Sequence, residues 1–415
     1  MFLFAIYRNN IVYSSSNFAF VLTRLEAVPT EHNTDEEYFW NRLQQLSADA
    51  WHDDPVYKPF YHPTGFVYAA CSSKVYEEQV VPYIKSLESG SFKLLETPAD
   101  FQATMLEGVF TGDFPQWRGV WRRTGAGWVF AKGALAAAYQ EAARLGVRFV
   151  TGSPQGEVTS LLFNASHTDV LGALTADGIR HTASHTILAA GASSDLLLDF
   201  RKQLRPTAWT LAHIRLTAEE AARYANMPVP YNSERGFLIE PDARSHELKL
   251  CDEHPGYLNL VPDPATGAPR SVPFARRQIP LEAARRVRRL LRETAPALAR
   301  RPFSFARICW DADTPDRVFL IDRHPELPAL VVAVGGSGNG FMNMPAVGRV
   351  VADVLEGAGE TRLRRMMRWR PEMAAGRDWW DTQGRFGAEG KVMDLKDVEG
   401  WTVSGEEEVV VDAKL

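Results

Sequence analysis

Glycine is missing from the first 64 residues of this 415-residue chain; the earliest is Gly65. A dinucleotide fold opens with strand, GxGxxG and helix within about 30 residues, its glycines letting backbone close on a pyrophosphate. Residues Met1 to Val28 offer two short apolar runs and no such turn, so the first strand of a parallel sheet is absent or replaced. Cysteine is scarce as well. Cys71, Cys251 and Cys309 form an odd, scattered trio, which excludes a disulfide framework and suits a reducing compartment. No apolar run reaches the roughly 18 residues needed to span a bilayer. The opening MFLFAIY meets Arg8, Asn9 and Asn10 too early for a secretory h-region, so a soluble, intracellular protein with no membrane partner is expected. A net charge of −5 leaves no electrostatic footprint for nucleic acid. Metal and hydrolase signals are missing too. HExxH does not occur, His181 and His185 lie four apart in strand-like sequence, and no serine–histidine pair has a hydrolase context.

The length is too great for one core of usual size, so two domains are expected. From Trp128 to Leu145 apolar residues recur at helical spacing and Gly146 supplies a stop. Strand signals follow in VRFVTG (Val147 to Gly152), EVTSLLF and a meander ending in TILAAGAS (Thr186 to Ser193), a buried-strand pattern closing on Gly191. Segments Thr207 to Leu216, Gly236 to Ala243 and His246 to Glu253 alternate over strand lengths and read, with Thr64 to Ser72, as an antiparallel sheet. Helix Glu282 to Pro296 covers it, with Val287, Leu290 and Leu291 inward and the arginines of Arg285 to Arg292 on a solvated face. The cluster Asp252, Glu253, His254 reads as a turn before Pro255 and Gly256.

The most informative stretch begins at Cys309. CWDADTPDRVFLID (Cys309 to Asp322) leads into ALVVAVGGSGNGF (Ala329 to Phe341) and a helix-like PAVGRVVADVLEG (Pro345 to Gly357). A strand, a glycine turn and a helix let backbone N–H groups approach an electron-rich ligand closely, an arrangement that suits a flavin ring.

Together with DDPVYKPFYHPTGF (Asp53 to Phe66), GDFPQWRG (Gly112 to Gly119), GAGWVFAKGAL (Gly125 to Leu135), QLRPTAWTL (Gln203 to Leu211), CDEHPGY (Cys251 to Tyr257) and RDWWDTQGRFG (Arg377 to Gly387), this stretch resembles the fructosyl amine oxidases (amadoriases) of the monomeric sarcosine oxidase and D-amino acid oxidase superfamily. The resemblance implies an α/β fold with an α+β substrate domain: a two-domain, FAD-dependent amine oxidase-like architecture with an incomplete N-terminal dinucleotide-binding unit. Residues 1–52 would be a remnant of the FAD-binding domain, 53–115 and 201–300 the substrate domain, 116–200 and 301–360 the FAD-binding domain, and 361–415 a C-terminal extension. It implies FAD bonded through sulfur to Cys309, with Gly191, Gly336, Ser337, Gly338, Gly340, Phe341 and Met342 against the cofactor. Substrate would meet Glu240 at its amine and sugar side, Arg377 at its carboxylate, Trp209 as an aromatic wall, and Gly340. A monomer acting on a small-molecule amine and oxygen, and releasing hydrogen peroxide, is the family pattern. The ending Ala413, Lys414, Leu415 resembles the peroxisomal tripeptide address, so a peroxisomal import receptor is an expected partner.

Three departures accompany the resemblance. The GxGxxG unit is missing; the lysine that family members carry shortly after it, facing the flavin, is not recognisable; and the family's Gly-Phe-Lys appears as Gly340, Phe341, Met342. Methionine supplies neither charge nor a donor, which adds sarcosine-, pipecolate- or saccharopine-like amines as alternatives to a fructosyl (glycated) amino acid, the leading expected substrate. A catalytically impaired or flavin-free remnant, left with an exposed sheet edge, is the competing expectation.

Overall fold

The computed structural model describes residues 19–23, 29–264, 266–385, 387 and 390–403. Apart from Ala19–Thr23, the segment Met1 to Val28 and the terminal Ala413, Lys414, Leu415 lie outside the described residues. The elements that carry the site are, in chain order, α1 (Asp35–Asp53), β1 (Phe66–Ala70), β2 (Arg118–Arg122), β3 (Ala126–Val129), α2 (Ala131–Arg144), β4 (Thr186–Leu188), β5 (Arg205–Arg215), β6 (Glu247–Asp252), α3 (Leu281–Thr294), β7 (Phe305–Asp313), β8 (Leu320–Arg323), β9 (Leu330–Val334) and α4 (Met344–Glu356).

Two sheets organise the molecule, as expected. The larger has ten strands and is mostly antiparallel, with β5 at its centre between β6 and β7. Its membership crosses the expected boundaries. β2, β7 and the short strand Met393–Asp394 all pair within it, although sequence reading had assigned the first two to the other domain and the third to an appendage. Pairing decides membership: nine consecutive residues of β5, Arg205 to His213, are in register with Asp313 to Phe305 of β7.

α3 packs on one face of this sheet, burying Val287, Leu290 and Leu291 against Ile214, Leu248 and Leu250. Its arginines are not all solvated, contrary to expectation. Arg286 is largely buried, its Nε 2.8 Å from the Asp252 carboxylate and its Nη2 2.5 Å from the Tyr257 hydroxyl, and Arg289 pairs with Glu293. A carboxylate left alone under the helix would carry a desolvation cost, and the guanidinium offsets it.

The smaller sheet is mixed. β4 and β9 run parallel, and β8 runs antiparallel to β9. α1 and α4 cover one side through Phe39, Leu43, Val331, Ala346 and Val350, and an antiparallel meander of Val158–Phe163 and Val170–Thr175 covers the other. α1 is better formed than a remnant would be. Its capping box is complete: the Thr34 hydroxyl accepts from the Glu37 amide and Glu37 accepts from the Thr34 amide.

The predicted strand Val147 to Gly152 does not form, although α2 ends at Arg144 as its periodicity requires. Val147, Phe149 and Val150 are exposed instead. The cause is a missing neighbour: among the described residues β4 pairs only with β9, and a strand without an adjacent strand has no ladder to complete.

Candidate active site

The residues expected to touch a cofactor converge where the two sheets meet. Cys309 lies in the middle of β7, opposite Trp209 in the ladder, rather than ahead of a strand as the sequence suggested. Side chains alternate along a strand, so Arg307, Cys309, Asp311 and Asp313 share one face with Leu211, Trp209, Thr207 and Arg205 of β5. The same face carries Phe66, Phe237, Ile239 and Cys251, an apolar floor against which Cys309 is half-buried. Burial holds the Cys309 thiol above its ordinary pKa, while Arg307 and Lys249 pull it back down. Lys249 is almost fully enclosed on this face, and burial lowers its own pKa.

The glycine turn sits between β9 and α4, as the pattern required. Gly335 and Gly338 take left-handed φ values of 80° and 88°, which side chains rarely adopt. Ser337, also left-handed at 48°, is held there by its buried hydroxyl, which accepts from the Thr314 amide at 3.1 Å and donates to Gly335 at 3.2 Å. Asp311 ties this turn to the cysteine strand: it accepts from the Gly338 amide, and its Oδ1 would lie 3.2 Å from a Cβ on Gly336. α1 fastens the far side, Trp51 donating to the Met342 carbonyl at 2.7 Å and Ser47 to Asn343 at 3.0 Å. Phe341 and Met342 pack near Trp51, Tyr61 and Val129, so Met342 lends bulk to an apolar wall.

Gly191 follows β4 with φ of 53° and open space where its Cβ would point. It and the Gly335–Gly340 turn stand at the carboxyl ends of two parallel strands, the place where open α/β sheets bind ligands. These residues fit a flavin ring system: an enclosed thiol, a glycine turn of close approach and a basic flank. For the pyrophosphate end, the described residues supply no glycine-rich turn.

Two expected substrate contacts, Glu240 and Arg377, also make bonds within the chain. Glu240 is buried; Trp128 Nε1 donates to it at 2.7 Å and the Asn226 amide also donates, so its oxygens cap a turn. Arg377 spends its guanidinium on the carbonyls of Lys202, Gln203 and Asp313 at 2.9–3.2 Å.

The structure brings forward others as well. Arg385 makes two 2.7 Å bonds to the buried Asp313 and stands 4.8 Å over the Trp209 ring. Glu253 follows the last residue of β6 and lies within electrostatic reach of Arg385 and Arg317; burial first, and then the Asp252 charge, push its carboxyl up to about 8. The Trp209 indole N–H is buried and has no hydrogen-bond partner among the described residues. Sequence reading took Glu253 for a turn residue and passed over Arg385. The signal was present in CDEHPGY and TQGRFG, but an acid and a base 132 positions apart give no periodicity to read.

A mixed sheet with a glycine turn at its carboxyl edge, set against a large antiparallel sheet whose cysteine faces the seam, defines a two-domain flavin-dependent amine oxidase fold. The family described as FAD dependent oxidoreductase matches residues 15–354, and the chain belongs to it. Among solved structures, the chain is similar to fructosyl amine:oxygen oxidoreductase (Amadoriase I) from Aspergillus fumigatus, with 48% identity and a TM-score of 0.89 over 98% of this chain and 92% of that one. It is also similar to the deglycating enzyme fructosamine oxidase (Amadoriase II) from Aspergillus fumigatus, with 46% identity and a TM-score of 0.88, covering 98% and 91%. A curated relative, L-saccharopine oxidase from Schizosaccharomyces pombe, is 30% identical over 267 residues. That match spans 61% of each chain.

Proposed function

We propose that the chain is an FAD-dependent oxidase of the C–N bond of a secondary amine, with a fructosyl (glycated) amino acid as the leading substrate. Its work would then be deglycation, with release of hydrogen peroxide. The observation that carries this reading is the join at Asp311, which holds the Cys309 strand against the Gly335–Gly340 turn. Cys309 would hold the flavin through sulfur, and Gly191, Gly336, Ser337, Gly338 and Gly340 would border it, with Phe341 and Met342 behind. FAD, when bound, supplies the two-electron sink that dioxygen later empties. Trp209 would wall the substrate, Glu253 and Arg385 would hydrogen-bond its polyol and amine side, and Lys249 and Arg307 would keep positive charge near the ring. Without a lysine at 342 the pocket is less polar, which favours sarcosine-, pipecolate- or saccharopine-like amines as alternatives. A peroxisomal address at Ala413, Lys414, Leu415, read by an import receptor, and a monomeric state belong to the same proposal.

Purification with FAD supplied, followed by acid precipitation, tests it. Yellow colour should stay in the pellet, and Cys309→Ser should move it to the supernatant with the fold retained. Colour that stays with Cys309→Ser would assign the link elsewhere. A second reading, a flavin-free remnant, draws on the edge of β4, unpaired among the described residues, and on the exposed Val147, Phe149 and Val150. It expects a colourless, poorly soluble wild type.

A further inference from the structure

A secondary amine yields its α-hydrogen to an oxidant only as the free base, because protonation removes the lone pair that assists C–H cleavage. At neutral pH such substrates arrive as ammonium ions, so the site needs an acceptor for one proton. The carboxylates around the seam differ in what they have left to give. Glu240 accepts from Trp128 and from the Asn226 and Met227 amides, and it follows the strand Gly236–Ile239 rather than standing on the cysteine strand. Asp313 is saturated by Arg385, Thr207 and Arg205, and despite its burial the Arg385 charge holds its carboxyl well below the usual range. Glu253, raised to about 8, is itself protonated in the ligand-free site at neutral pH.

Asp311 is different. It stands two residues beyond Cys309, hence on the same face of β7 and about 6–7 Å along the strand. Among the described residues its hydrogen-bond donors are backbone amides, Ala312 at 2.8 Å on one oxygen and Gly338 on the other. A carboxylate oxygen accepts twice, so each retains one open position. The neighbouring Arg385 directs both Nη atoms to Asp313 rather than to it.

We propose that Asp311 accepts the proton of the substrate ammonium, delivering the free amine beside the Cys309-anchored ring; this rests on the oxidase reading above. The step moves one proton and no electrons: an N–H bond of the ammonium breaks, an O–H bond forms on Asp311, and the nitrogen keeps the pair. The proton passes to solvent before the next turnover.

The surrounding charges suit that task. Cys309 and Asp313 flank Asp311 on its own strand, Thr207 lies across from it on β5 with Arg205 opposite Asp313, Arg385 approaches from the C-terminal segment, Arg317 lies 3.7 Å from where a Gly338 Cβ would stand, and Glu253 is within electrostatic reach of Arg385. Burial, then the Asp313 charge, raise the Asp311 carboxyl to about 6 against the pull of Arg385. A carboxyl raised in this way is a better proton acceptor than an ordinary carboxylate.

The test compares wild type, Asp311→Asn and Asp311→Glu by anaerobic flavin reduction with fructosyl-glycine from pH 5 to 9, alongside covalent flavin content and binding of the matching fructosyl thioether acid. Asn keeps an acceptor for the Gly338 amide but takes no proton. Asp311→Asn should load flavin and bind the thioether as wild type does, yet reduce about 10²–10⁴-fold more slowly at pH 7. Its rate should climb with pH towards the substrate amine's own pKa, whereas wild type levels off above about 6 and Asp311→Glu recovers most of the rate. A wild-type rate and profile in Asp311→Asn overturns the proposal, and so does loss of flavin from that variant, which would make Asp311 a turn cap alone. A wild type that carries no flavin at all overturns the oxidase reading itself, and this proposal with it.

Discussion

Replacing Glu253 by Gln should stabilise the substrate-free protein in alkaline solution and do little in acid. In the folded state burial and Asp252 lift this carboxyl from 4.5 to about 8. The unfolded chain therefore loses the proton from about pH 4.5 upward while the folded chain keeps it, and stability falls with rising pH through that window. At the ordinary conversion the full gap corresponds to about 5 kcal/mol. The side chain is only partly enclosed, so about 3 kcal/mol is a fair allowance after solvent screening. Glutamine has roughly the same shape and no proton to lose. The assay is the thermal midpoint of both proteins from pH 4 to 9. The two curves should coincide near pH 4.5 and separate to a plateau above pH 8, on the order of 10 °C for a domain of this size. Parallel curves, or a gap that narrows as pH rises, would refute the account of Glu253 as an enclosed, charge-averse acid.

Two further substitutions follow from the same network. Arg385→Met strips two charge-assisted bonds from Asp313, which is fully buried, and should cost about 3–5 kcal/mol of stability in urea titration, even though a hydrophobic side chain fills the space. Arg377→Ala should weaken turnover of a carboxylate substrate and of its ester equally, since its guanidinium serves three main-chain carbonyls; a selective loss for the carboxylate would restore the role that sequence reading gave it.

Much of the architecture was legible because it is written in local periods. The apolar spacing before Gly146, the buried pattern ending at Gly191 and the glycine turn ahead of α4 each specify one element, and each element formed. The strand at Val147 failed for a reason that lies elsewhere in the chain: its pattern is sound, but among the described residues nothing runs beside it. The helix α1 went unread because residues 1–52 were taken as a remnant; its capping box is complete and the apolar surface of α4 packs against it.

By itself the sequence determined the kinds of element, the position of the cysteine and of the glycine turn, and the lack of a GxGxxG turn, since these depend on spacing and on what glycine and cysteine uniquely permit. Only tertiary structure decided which charged groups meet. Glu240 and Arg377 sit in conspicuous motifs and bond to groups within their own neighbourhoods, while Glu253, Arg385, Asp313 and Asp311 come together at the seam of two sheets. A hydrogen-bond partner is a matter of distance in space, and the pairing of β5 with β7 is what sets that distance.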